Sequence, residues 1–408
     1  MRAAVAGSEI LAADVLIIGG GFAGGALACA LGDQGLKAVV VEEQEPAAVV
    51  RQGFDGRASA ISLTSRRFLE RTGIWDGVAD DACPMLDIRV ADGDSRLFLH
   101  YDHREVGDEP FGHMVENRIL RRATLNRLIE HVDAVLIAPA RLVSLSRGSD
   151  GVEGRLKGGG RIRAPLAVAA DGRDSPTRED AGIRTTGWKY GQTAIVCTVQ
   201  HAEPHRFVAV EHFRPAGPFA ILPLHGNRSS IVWTERERLV PAIMALSEAD
   251  FLAELRRRFG DFLGSLSVVG PRFSYPLSLQ FAAAATAPRL ALIGDALHAM
   301  HPIAGQGLNM GYRDVAALTD VLVEARAAAD DLGSAAVLGR YARWRRFDNL
   351  QMLLATDGLN RLFSNDFAPL RLARDVGLAL VNQLPPVKRL FMRHAMGLIG
   401  ELPSLMRS

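Results

Sequence analysis

One stretch near the start of the chain, DVLIIGGGFAGGALACALGDQGLKAVVVEE (14–43), constrains the fold more than any other. Val15–Ile18 is a continuous apolar run of strand length, the pattern of a parallel strand buried on both faces. Gly19, Gly21 and Gly24 follow as G-x-G-x-x-G where a helix opens. The first glycine permits a tight turn, the second lets a pyrophosphate approach the backbone, and the third lets helix and strand pack closely. Phe22 and Ala23 open that helix and join the candidate contacts, because its free N–H groups and positive dipole end suit phosphate. Lys37–Val41 is a second apolar strand, and it ends in Glu42, 18 residues beyond Gly24. A carboxylate there can accept ribose hydroxyls. Strand, glycines, helix, strand and acid together predict a βαβ unit for the ADP half of FAD or NAD.

Two further strands end in turns that bear polar residues. APLAVAADG runs into Asp171 and Gly172, with Ser175 and Arg178 completing D-G-x-x-S-x-x-R. RLALIGDALHAMHP runs into Gly294 and Asp295. In open α/β sheets, ligands sit at the carboxyl ends of strands, so three strand ends are expected to converge on one ligand. Beyond the third, Gly305, Gly307 and Gly311 surround Gln306 and Asn309, and helical periodicity starts at Leu308. A glycine turn before a helix aims bare N–H groups at something electron-rich, such as the N1–C2=O edge of a reduced flavin. Asp295 is then placed for ribityl hydroxyls. No second G-x-G-x-x-G exists, so a separate nicotinamide domain is not expected, and the cofactor is read as FAD.

At these residues the chain resembles the FAD-dependent aromatic monooxygenases of the para-hydroxybenzoate hydroxylase type, and within them the ubiquinone-biosynthesis hydroxylases. The resemblance rests on Gly19/Gly21/Gly24 with Glu42, DGRDSPTR and GDALHAMHPIAGQGLNMGYRD, and it covers nearly the whole chain. It implies an α/β FAD-binding Rossmann-like domain, an antiparallel β-sheet substrate domain and a helical C-terminal region. It also implies that Arg57 lies near flavin and phosphates, that Arg118 contacts FAD, and that the backbone of Leu308 and Asn309 touches the flavin ring. The implied chemistry is oxygen transfer from a C4a-hydroperoxide to an electron-rich phenol ring, with O2 as co-substrate and NAD(P)H or a small electron carrier as reductant. A polyprenylated phenol is the implied substrate. A small soluble aromatic acid and a non-catalytic flavin-bearing scaffold in a quinone-synthesis complex are the alternatives.

Composition fits an ordinary folded protein and argues against other classes. Forty-seven basic against 46 acidic side chains leave no global field for nucleic acid. The three cysteines, Cys29, Cys83 and Cys197, are far apart and form neither a disulfide framework nor a redox pair. His298 and His301 stand three apart, but no carboxylate or cysteine completes a metal set at ligand spacing, so they are read as structural. No Ser–His–Asp set or carboxylate pair is legible, as expected where a cofactor carries the chemistry.

Between Gly187 and Thr234, short β-rich segments separated by turns predict a sheet that closes over the flavin. Tyr190, Gln192, Phe219, Leu222, Pro223 and Pro302 are the candidate pocket wall; no general base is assigned, and His225, Trp233 and Glu211 read as structural or exposed rather than catalytic. The expected organisation is a discontinuous FAD domain (1–82, 111–182 and 275–325), a substrate domain (83–110 and 183–274) and a helical region (326–408). Basic residues Arg371, Arg374, Lys388, Arg389 and Arg393, interleaved with apolar ones, read first as helices packed on the first domain with one solvated face, and leave open a peripheral membrane contact or a partner in a quinone-synthesis complex. A cytoplasmic location, at or near the inner membrane surface, is the expectation; oligomeric state is open.

Overall fold

The computed structural model describes residues 10–51, 53, 56–93, 98–299, 306–348 and 381–408. At its centre lies a six-stranded sheet in the spatial order Thr286–Ala287, Leu290–Leu292, Leu166–Ala169, Val15–Ile18, Ala38–Val41, Ala134–Ile137. All its neighbours pair in parallel except the short strand Thr286–Ala287. Val15–Ile18 and Leu166–Ala169 are buried along their whole length, which is why both read as unbroken apolar runs.

Alternate side chains of these strands feed two cores. Val15, Ile17, Val40 and Val168 pack against the helices Phe22–Gly32 and Gln306–Ala327 on one face. Leu16, Ile18, Val39 and Ala167 face a four-stranded sheet on the other. That second layer is built from Leu142–Arg147, Val152–Leu156, Arg161–Ala164 and Ile10–Ala12. The glycine-rich stretch 147–165 thus forms two of its strands and their turns, a covering layer for the nucleotide-type sheet.

The second large element is an eight-stranded sheet, ordered His298–Ala299, Leu266–Ala282, Thr185–His201, Arg228–Arg236, Gly217–Leu224, Val208–Arg214, Asp87–Asp92, Phe98–Asp102. Its outer face is sealed by the helix Glu248–Phe259, whose Phe251, Leu255 and Phe259 pack on Ile195, Cys197, Phe219, Ile221, Ile231 and Trp233. Its inner face meets a three-stranded sheet (Ala58–Ser62, Gly112–Glu116, Cys83–Met85) and the helix Pro385–Ala395.

Two expected boundaries, 274/275 and 325/326, fall inside continuous elements, the strand Leu266–Ala282 and the helix Gln306–Ala327. The strand Leu266–Ala282 runs through 274/275, because it pairs along its length with Thr185–His201 and its far end reaches His298–Ala299. Cys83–Met85, from the stretch assigned to the substrate side, pairs with Gly112–Glu116 instead, while Asp87–Asp92 and Phe98–Asp102 do extend the large sheet. Among the described residues no helix is long and apolar enough to cross a membrane.

Candidate flavin and substrate site

The parallel sheet reverses its strand order at Val15–Ile18. From there the chain goes to Ala38–Val41 on one side and later returns to Leu166–Ala169 on the other. The carboxyl ends of adjacent strands at such a switch point open a crevice for ligand, and the turns at Gly19, Glu42, Asp171 and Gly294 all lie at these strand ends.

The three glycines of the first turn have separable duties. Gly19 has φ +99°, and a Cβ there would lie 2.4 Å from the carbonyl oxygen of Ala170, so a side chain is barred by the neighbouring strand. A Cβ on Gly24 would lie 1.9 Å from the carbonyl oxygen of Gly19, so helix and turn touch through bare backbone. A Cβ on Gly21 would meet no protein atom within 4 Å. Gly21 therefore serves nothing in the protein's own packing, and its open side faces the crevice. The helix Phe22–Gly32 has neither a side-chain cap nor an acid in its first turn, which leaves its N-terminus available to an anion. These features fit the pyrophosphate of a dinucleotide. The Glu42 carboxylate accepts from the amides of Gly20 and Gln44, each at 2.7 Å, and is so held beside the turn. The guanidinium of Arg121 lies 5.4 Å from the ring centre of Phe22.

The DGRDSPTR turn is held from within. Asp171 accepts from the Ser175 hydroxyl and, at 3.1 Å, from the Thr177 amide, so its carboxylate is engaged in its own turn. Arg178, 3% exposed, donates to the carbonyls of Arg173 (2.9 Å) and Ala296 (3.0 Å). It ties the second strand end to the third, a role invisible in the spacing because both partners are main-chain atoms.

Gly294 adopts φ +56° and packs on Ala23, while its amide donates to the buried Asp314 carboxylate at 3.0 Å. Asp314 also receives Arg345 Nε at 2.7 Å and lies 2.7 Å from His298 Nε2, all three being buried. Burial alone would raise the Asp314 carboxyl, but His298 and Arg345 outweigh it and hold it below the ordinary carboxylate range. His298 is thus tied into this cluster, and His301 lies outside the described residues. Asp295, beside Gly294, is reached by solvent; the surrounding protein raises its carboxyl, with His298 and Arg173 opposing.

Asn309 sits near the start of the helix Gln306–Ala327 and uses its side chain like a strand edge. It accepts from the Ser62 amide (2.9 Å) and donates to the Ala60 carbonyl (2.8 Å), fixing the helix start against Ala58–Ser62. A Cβ on Gly307 would meet nothing within 4 Å. Arg57 lies over the ring of Tyr275 at 5.9 Å, and Arg118 donates to Glu116 at 2.7 Å. Gly305 and Pro302 fall outside the described residues.

The inner face of the large sheet carries half-buried Ala220, Leu222, Val232, Phe273 and Tyr275. Phe219 belongs to the opposite face: it is fully buried with Trp233 under the outer helix, because strand alternation turns it away from Ala220 and Leu222. Pro223 shares that outer parity with Ile221, and Gln192 donates to the Ala216 carbonyl at 2.8 Å, bracing a turn. Tyr190 packs edge-on against Trp188. Phe273 and Tyr275 went unselected in the sequence, although R-F-S-Y-P-L shows the alternation that puts them on one face.

A family model described as an FAD binding domain matches residues 12–346. The chain is 55% identical to the ubiquinone hydroxylase UbiL of Rhodospirillum rubrum, covering 99% of this chain and 94% of that protein. It is 37% identical to the 3-demethoxyubiquinol 3-hydroxylase of Escherichia coli, covering 94% and 98%. Among solved structures, p-nitrophenol 4-monooxygenase PnpA of Pseudomonas putida shares the fold, with a TM-score of 0.79 at 21% identity over 96% of this chain and 99% of that one.

Substitution separates the glycines. Gly21→Val is expected to leave the apoprotein's thermal midpoint unchanged and to abolish flavin retention, read from bound absorbance. Gly24→Ala is expected to lower the midpoint of the apoprotein itself. A yellow, stoichiometric Gly21→Val protein would remove the pyrophosphate from this turn. For the buried cluster, Asp314→Asn should cost about 3–5 kcal/mol in urea unfolding at neutral pH, since Arg345 and His298 lose their shared anion. Because the folded Asp314 carboxyl is lowered, its contribution is full above about pH 4 and is lost as pH falls through the folded value. The acid-side loss of stability should therefore shrink in the Asn variant.

Proposed function

The chain belongs to the FAD-dependent hydroxylases of ubiquinone biosynthesis, and on that footing we propose that it adds one hydroxyl group to the ring of a polyprenylated phenol. Bound FAD supplies the oxygen-transfer chemistry, drawing on O2 and on electrons from NAD(P)H or a small carrier. The protein's part is to hold, orient and exclude water. In this reading Gly19, Gly21, Phe22, Ala23 and Gly24 hold the pyrophosphate, and Glu42 takes the adenosine ribose. Gly294 and Asp295 serve the ribityl chain, with Asp171 acting through its turn. Gln306, Gly307, Leu308 and Asn309 present the helix start to the flavin ring, and Arg57 and Arg118 flank it.

The observation that carries the substrate assignment is the inner face of the large sheet. Ala220, Leu222, Val232, Phe273 and Tyr275 offer an apolar, partly aromatic surface opposite the flavin domain, suited to a phenol ring and an isoprenoid chain.

The proposal extends to a peripheral contact with an anionic membrane, where such a substrate resides. Leu384, Val387, Leu390 and Phe391 are exposed on and beside the helix Pro385–Ala395, with Arg389 and Arg393 alongside. Spacings of three and four residues set Val387, Leu390 and Phe391 on one face. Lys388 is excluded from this set, since its Nζ is buried 2.6 Å from Glu105; Arg371 and Arg374 lie outside the described residues.

Cells lacking the chain, grown with oxygen, are expected to accumulate a prenylated phenol short of one hydroxyl, and its structure would name the ring carbon. Normal ubiquinone with no such intermediate and no redundant enzyme would overturn the assignment. For the membrane contact, the protein should float with anionic vesicles at low salt, and Leu390→Glu/Phe391→Glu should remain behind. Equal flotation of both would rule this helix out.

A further inference from the structure

Glu211 lies in the strand Val208–Arg214, in the row of side chains that faces the flavin domain. Register fixes that row: Phe273 pairs with Val196, Val196 with Val232, Val232 with Ala220, and Ala220 with Glu211. On its other side Glu211 pairs with Val90. It is thus the one acid in a row otherwise made of apolar side chains, half-buried, with Ala220 and Val90 as its lateral neighbours. Its carboxyl is pushed up to about 7 by desolvation.

Among the described residues, the ionisable groups on the surrounding elements are engaged elsewhere, held neutral or, like Arg389 and Arg393, exposed to solvent. Glu116 is paired with Arg118 and Arg228, Lys388 with Glu105, and Arg66 and Arg67 with Glu109. Burial raises the Cys83 thiol and the Tyr101 phenol and lowers His394. Asp92, two positions along from Val90 on the same face, has an interaction of its own. An unpaired carboxyl among apolar side chains is costly as packing, and a phenol hydroxyl would supply the missing partner.

Building on the substrate reading above, we propose that Glu211 is a catalytic residue that accepts the proton of the substrate's ring hydroxyl. A ring lying on Val232 and Ala220 brings that hydroxyl to the next strand, about 4.8 Å on, where Glu211 stands. The phenol O–H bond breaks, its electron pair stays on oxygen and enriches the ring, and the proton moves to a Glu211 carboxylate oxygen. The ring carbon then takes one oxygen atom of O2. Its own proton leaves with the second oxygen atom in water, and Glu211 returns the first proton to the product oxygen. The two electrons that balance O2 come from the nicotinamide reductant, and its hydride hydrogen together with one solvent proton supplies the remaining hydrogens of the new hydroxyl and of water.

The test uses the FAD-loaded enzyme and two readouts. The first is kcat/KM for a short-chain prenylated phenol against pH. Wild type is expected to lose activity below an apparent pKa near 7, because only the carboxylate accepts a proton. Glu211→Gln should lack that limb, with a plateau about 10²-fold lower or less. The second is a 4-nitrophenol carrying one isoprenoid chain, read at pH 7.5 as a difference spectrum on binding. Wild type is expected to show the phenolate band and Glu211→Gln the unionised phenol. An acid limb retained in the Gln variant, or equal phenolate bands, overturns the role. If the Gln variant fails to hold FAD, Glu211→Asp is measured instead and should keep the limb at a reduced rate; a full wild-type rate there overturns the role. A wild-type enzyme that neither hydroxylates the phenol nor binds the probe would sink the substrate reading itself.

Discussion

The Asp314 carboxylate, buried among His298, Arg345 and the amide of Gly294, binds a sheet end to two helical stretches with no solvent to help. Removing Asp314 or Arg345 leaves a buried charge with fewer partners in a dry interior, which favours the one arrangement that keeps them together. What it holds is the turn at Gly294 and Asp295, and the start of the helix that carries Asn309. Asn309 in turn clasps the strand Ala58–Ser62 through both ends of its amide. Pieces of chain almost 250 residues apart are thereby given one relative position. Buried Tyr341 adds a hydrogen bond to the Leu292 carbonyl at 2.8 Å, on the same strand end.

That rigidity matters because the crevice is made of backbone. Gly21 leaves open space before an uncapped helix start, while the amides of Gly19 and Gly294 are spent on Val41 and Asp314 to fix their turns, so the value of these turns lies in where they are held. Arg178 does comparable work between the second and third strand ends, using its guanidinium on two carbonyls. Across the crevice, the large sheet divides its labour by strand parity. One face is sealed under Phe251, Leu255 and Phe259; the other keeps an apolar surface half-open toward the flavin domain. A single residue of register would exchange the two faces.

How legible this was differs from residue to residue. Val15–Ile18 and the three glycines were readable because a doubly buried strand and a backbone-to-backbone contact restrict residue type locally, whatever the rest of the chain does. Glu42 was readable for the same reason, its place being set by the length of one βαβ unit. Arg178 and Arg345 were not, since their partners are carbonyls or acids brought near only by folding. Phe219 and Phe273 look alike in sequence as aromatic strand residues, yet one lies in a sealed core and the other on the inner face. The helix Glu248–Phe259 decides between the two faces, and nothing within either strand says which face it will cover.

The amino-acid sequence by itself determined the nucleotide-type sheet, the turns at its strand ends and the kind of cofactor they suit. Those follow from local patterns of burial and from glycines where no side chain fits. Only the tertiary structure decided which turns are braced by which charges, which face of the large sheet meets the flavin domain, and that Glu211 stands in that face's apolar row. Such facts depend on contacts between residues far apart in the chain, and the strength of a buried charge depends on everything packed around it.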